Sequence, residues 1–142
     1  MRLALAFLAT TFLATAAALA AVSDAHAETP ADFLRTYEAA ARQDNSGFTG
    51  FSAQRGEAFF KTTHGREWSC ASCHTPNPTV GGKHAKTDNP IGPLAPTANA
   101  ERFTRPDKVE KWFRRNCNDV VGRECTPAEK GDVLTYLMSL AK

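Results

Sequence analysis

The chemistry of this chain is concentrated in the segment Cys70-Ala71-Ser72-Cys73-His74. Two thiols separated by two residues, with an imidazole directly after them, match the attachment pattern of haem c. The sulfurs add across the two vinyl groups of one haem, and the histidine binds the iron. Two other chemistries use paired cysteines. A dithiol oxidoreductase carries its pair near a βαβ pattern, and none is visible here. A zinc site needs a second Cys/His pair at finger spacing, which the sequence lacks. The motif predicts one covalent haem c on Cys70 and Cys73, with His74 as an axial ligand.

The iron then has one further axial position. Electron-carrying cytochromes often fill it with methionine, which raises the reduction potential. The sequence holds 2 methionines, Met1 and Met138. Met1 opens an export leader, and Met138 falls within the last predicted helix, where it reads as a packing residue. A His/Met carrier is therefore not expected. Other donors are His84, His64, several lysines and the side chains around Cys117. A second histidine would give a closed, low-spin haem. His84 reads as a propionate partner or a solvated side chain more readily than as a ligand. A lysine ligand would first have to lose its proton, at a cost in free energy near neutral pH. Composition and spacing alone do not choose among them.

The chain has 142 residues and a net charge of +2. Arg2 precedes an Ala/Leu/Phe run from Leu3 to Val22, and Ala25-His26-Ala27 makes a small-x-small cleavage site. These are the parts of a secretory signal peptide, expected to occupy residues 1–27. The remainder, residues 28–142, is the length of one small domain. Arg2 and Asp24 leave together, so the charge stays at +2. That balance does not suggest a nucleic-acid partner, though it leaves room for a local basic face. No later segment is long and apolar enough to span a bilayer, so a soluble, periplasmic product without stable membrane insertion is expected. A covalent haem suits so small a domain, because it adds a large apolar plate to the core.

The elements that position the motif are helices. Thr29-Pro30-Ala31-Asp32 has a capping residue, a first-turn proline and an acid at the positive helix end, and predicts a helix to about Arg42. Ser52 caps a second helix through about Phe60, with Gly56 and Phe60 on one face. The stretch from His74 to Thr97 is dense in glycine and proline and predicts a wrapped loop without regular helix. Thr104-Arg105-Pro106-Asp107 opens another helix, with Val109, Trp112 and Phe113 as its apolar stripe. Thr126-Pro127-Ala128-Glu129 is a capping box with proline in the first turn. The last helix then packs through Val133, Leu134, Tyr136, Leu137 and Leu140.

The helix order resembles a class I cytochrome c, an all-α fold of short helices around one covalent haem. The segment Arg115-Asn116-Cys117 through Gly122-Arg123-Glu124-Cys125-Thr126-Pro127, with Pro93-Leu94-Ala95-Pro96 upstream, is similar to the sphaeroides haem protein family. Its members are oxygen-binding, high-spin class I cytochromes c. The resemblance implies that the first and last helices of the fold cross near the haem, with Gly56 and Phe60 meeting Val133 and Tyr136. It implies Asn116 as the distal ligand to ferric iron and a disulfide between Cys117 and Cys125. An exported protein permits that bond, and closing so short a loop contributes roughly 2–3 kcal/mol. The resemblance further implies a dihaem cytochrome c as electron donor. Lys83-His84-Ala85-Lys86 departs from the family pattern and adds a histidine near the site. On its residue type alone, Asn116 reads as a helix C-cap.

Three functions fit these residues. The first is a periplasmic, high-spin monohaem cytochrome that accepts electrons and binds a diatomic ligand, oxygen or nitric oxide, when reduced. The second is a low-spin shuttle with a bis-histidine haem through His84. The third is a small haem peroxidase or reductase. An enzyme would also need a proton donor and a distal base, and the sequence identifies neither.

Overall fold

The computed structural model describes residues 27–141. The expected leader lies outside the described residues, apart from Ala27. Among these residues five helices carry the fold: α1 (Pro30–Asp44), α2 (Ala53–Lys61), α3 (Cys70–His74), α4 (Pro106–Val120) and α5 (Pro127–Ser139). Their starts follow the capping chemistry of the sequence. The Thr29 amide donates to the Asp32 carboxylate at 2.7 Å, and Pro30 enters the first turn of α1. The Ser52 hydroxyl accepts from the Arg55 amide at 3.2 Å. At α5 the box is reciprocal, Thr126 N–H to Glu129 at 2.8 Å and Glu129 N–H to Thr126 at 3.2 Å.

The core forms where α2 and α1 pack on α5. Phe60, Leu134 and Leu137 are fully buried there. Gly56 makes the α2–α5 crossing possible: a β-carbon built at that position would stand 1.9 Å from the Asp132 carbonyl oxygen. Phe60 and Tyr136 meet across the crossing with ring centroids 5.6 Å apart. Buried Asp132 ties the same corner, accepting from the Ser52 amide at 2.7 Å and from Arg55 Nε at 2.7 Å.

The structure corrects three expectations. The Gly/Pro-rich stretch is not wholly loop: β1 (Gly82–Lys83) pairs antiparallel with β2 (Pro90–Ile91). The hairpin is closed by the His84 amide donating to the Asn89 carbonyl at 2.9 Å. Trp112, placed on the apolar stripe of α4, is 48 % exposed and borders a cavity, whereas Val109 and Phe113 of the same stripe pack on the core. Met138 is not a core residue but lies 38 % exposed on α5. Among the described residues, no helix is long and apolar enough to cross a membrane.

Candidate haem site

The motif Cys70–His74 folds as one short helix, α3, entered through Ser69, whose amide donates to the Ser72 hydroxyl at 3.0 Å. A helical turn puts Cys70, Cys73 and His74 on neighbouring faces, because side chains three and four residues apart lie side by side. Gly82 lets β1 lie directly on this helix: a β-carbon there would stand 2.0 Å from the Cys73 carbonyl oxygen. The Ala85 amide points at the Cys73 sulfur at 3.3 Å.

Beside α3 is a cavity of about 740 Å³ whose lining includes Cys70, Cys73, His74 and Asn116. Much of its wall is apolar, with Phe60, Leu94, Phe103, Val109, Phe113 and Leu137 among the lining residues. Both motif thiols are free, whereas Cys117 and Cys125 are joined in a disulfide with Cα atoms 5.6 Å apart. Burial pushes the Cys70 thiol up to about 11. A thiol so held is not the low-pKa nucleophile of a dithiol oxidoreductase. Burial, with the charge of Arg102 adding to it, pulls His74 down to about 4. Its imidazole is therefore neutral at ordinary pH, the state in which histidine binds metals. His74 Nδ1 is buried without a hydrogen-bond partner among the described residues. Free paired thiols, a neutral imidazole and an apolar cavity large enough for a flat macrocycle fit a covalent haem.

Asn116 is half-buried within α4 and lines the cavity. It does not cap the helix, since α4 runs on to Val120 and its C-cap is Val121. The neighbouring disulfide fixes the chain at Cys117. His84 also lines the cavity, but from the hairpin whose next residue points its amide at Cys73 Sγ, at the attachment edge. Its Nδ1 accepts from the Lys86 amide at 3.3 Å. His64 is turned away from the cavity lining, with Nε2 2.8 Å from the Phe59 carbonyl oxygen. Met138 does not line the cavity either.

Arg102 and Trp68 are lining residues that the sequence did not single out. Arg102 is half-buried and bonds the Pro93 carbonyl through Nε and the Gly92 carbonyl through Nη2, both at 2.9 Å. It makes no salt bridge among the described residues, so it offers an uncompensated positive charge at the cavity wall. Trp68 lines the cavity just before the motif, with Lys86 Nζ 4.5 Å from its ring centroid.

Fold and site together define a class I c-type cytochrome. Residues 46–137 match a family described as a domain of unknown function, DUF1924. Cytochrome c-type protein SHP of Cereibacter sphaeroides is 42 % identical over 132 residues, covering 90 % of this chain and 97 % of that protein. Cytochrome c'' of Methylophilus methylotrophus is 49 % identical over 83 residues, a match that spans 58 % of this chain and 58 % of that protein. The structure of oxidised SHP, described as an oxygen-binding cytochrome c, superposes with a TM-score of 0.71 over 80 % of this chain and 99 % of that one, at 42 % identity. Oxidised cytochrome c'' superposes with a TM-score of 0.71 over 80 % and 95 %, at 40 % identity. The chain belongs to the DUF1924 family, alongside these haem c cytochromes, and haem c is its cofactor.

Proposed function

We propose that this protein is a periplasmic monohaem cytochrome that is reduced by another redox protein and then binds a diatomic ligand. In this reading Cys70 and Cys73 hold the haem through thioethers, and His74 supplies the proximal imidazole. The bound haem supplies an iron that cycles between ferric and ferrous states and accepts a small ligand on its open side. Arg102 on the cavity wall would supply a positive charge for a haem carboxylate. Asn116 is the labile distal ligand. A neutral amide oxygen is a hard, weak donor, better suited to ferric than to softer ferrous iron. Asn116 would thus hold ferric iron and let go of ferrous iron more readily.

The observation that carries this reading is the pairing of a cavity-facing Asn116 with the lack of a cavity-facing methionine among the described residues. The likeness to SHP supports oxygen as one ligand, and a dihaem cytochrome c is the proposed electron donor. Two substitutions test the distal assignment. Asn116→Ala should change the ferric absorption spectrum, and His84→Ala should leave it nearly unaltered. A His84→Ala protein that turns from low-spin to high-spin, beside an unchanged Asn116→Ala protein, would instead establish the bis-histidine shuttle.

A further inference from the structure

α4, the helix that carries Asn116, approaches the other helices only sparsely through its backbone. Beside the packing of Val109 and Phe113 on the core, two attachments hold it. One is covalent and adjoins Asn116: the disulfide from Cys117 to Cys125. The other is a polar clasp on Glu110. One carboxylate oxygen accepts from the Tyr37 hydroxyl of α1 at 2.6 Å, and the other from Lys130 Nζ of α5 at 2.7 Å. Tyr37 is buried, so its hydroxyl position is set by the core. Lys130 also lies over the rings of Tyr37 and Phe113, 5.6 and 5.8 Å from their centroids.

Phe113 connects the clasp to the cavity. Its ring stands edge-on to Tyr37 at 6.0 Å and forms part of the cavity wall. Residues 110, 113 and 117 follow one face of a helix at spacings of three and four. Asn116 is six residues past Glu110, or about 9 Å along the axis. With Cys117 fixed covalently, the motion open to α4 is a tilt about that end. Glu110 limits that tilt by its polar contacts, beside Val109 and Phe113 packed on the core.

We infer that the Tyr37–Glu110–Lys130 clasp is a positioning device that sets how readily Asn116 leaves the iron. The inference rests on the reading of Asn116 as distal ligand. The carboxylate of Glu110 is half-exposed, which limits what the clasp adds to global stability. Its effect falls on the population of the α4 arrangement that keeps Asn116 engaged. A competing ligand sees that population directly, because its apparent affinity scales with the fraction of sites already vacated.

The test is azide binding to the ferric holoprotein, with affinity and association rate measured for Glu110→Gln, Tyr37→Phe and Lys130→Gln. Each substitution is made in the wild-type background and in Asn116→Ala. Opening the clasp should raise azide affinity by about threefold to tenfold in the wild-type background, the size of one hydrogen bond withdrawn from the engaged state. In the Asn116→Ala background the same substitutions should leave affinity unchanged. A clasp effect of equal size in both backgrounds, or no effect in either, overturns the clasp proposal alone. An Asn116→Ala protein with wild-type azide affinity and spectrum overturns the distal reading, and the clasp proposal with it. Tyr37→Phe keeps the buried ring and removes only the hydroxyl, so the test survives if Glu110→Gln folds poorly.

Discussion

Gly56→Ala should loosen the crossing on which the haem cavity is built. The added β-carbon would stand 1.9 Å from the Asp132 carbonyl oxygen, 2.4 Å from its carbon and 3.0 Å from Tyr136 Cβ. An ordinary carbon–oxygen approach is about 3.3–3.6 Å, so α2 and α5 must part by more than about 1 Å. Neither obstacle can swing aside, since two of the three atoms are helix backbone. Parting the helices disturbs Phe60, Leu134 and Leu137, all fully buried at this seam. Overpacking of this kind costs up to about 3 kcal/mol. Alanine's better helix propensity returns about 1 kcal/mol. The net loss is about 2 kcal/mol, which for a domain of this size lowers Tm by about 8 °C. Thermal melting of the ferric holoprotein, followed by far-ultraviolet circular dichroism, reads this directly. Gly47→Ala is the control, because its added carbon meets only the Asn45 side chain, and it should stay within about 0.5 kcal/mol of wild type. A Gly56→Ala protein that melts with the wild type would refute the close-crossing argument.

Three further outcomes are expected. Acidified organic solvent should leave the haem on denatured wild-type protein and should extract it fully from the double variant Cys70→Ala/Cys73→Ala; full extraction from the wild type contradicts thioether attachment. Asp132→Ala should lower stability by about 2 kcal/mol in urea melts, because it strands the Ser52 amide and unpairs half-exposed Arg55; a midpoint shift near zero would show that water replaces the carboxylate there. The third outcome concerns Glu129, whose burial raises its carboxyl while hydrogen bonds from Arg123 and Thr126 outweigh that and hold it below the ordinary 4.5. Its stabilisation is therefore present above that value and lost as pH falls through the depressed folded value. Glu129→Ala should cost about 1 kcal/mol at pH 7, and the gap from wild type should close progressively below pH 4.5; a gap that is the same at acid pH would refute the charged-cap assignment.

The readable parts of this chain were those where chemistry acts over a few residues. Haem attachment demands two thiols and an imidazole within one turn, so Cys70 to His74 announced itself. Helix starts at Thr29, Ser52 and Thr126 were legible because capping is local. The proline at 106 marked α4 for the same reason. Asn116 was not legible from its own type: an asparagine near a helix end reads as a cap, and only the family resemblance distinguished it. Arg102 and Trp68 escaped notice because their roles depend on loops that fold back across the cavity. The β1–β2 hairpin is two residues deep on each side, too short for any alternation of polar and apolar residues to appear. Trp112 shows a further limit. Helical periodicity assigns a face, whereas the depth of that face is set by what packs on it.

The central claim is a haem whose distal ligand is weak and lost on reduction. The absorption spectrum of the ferrous holoprotein, before and after carbon monoxide, tests it most directly. A high-spin ferrous spectrum that converts promptly and completely on adding carbon monoxide is the predicted result. A low-spin ferrous spectrum that carbon monoxide does not alter would contradict it, since a strong ligand would then occupy the position assigned to Asn116.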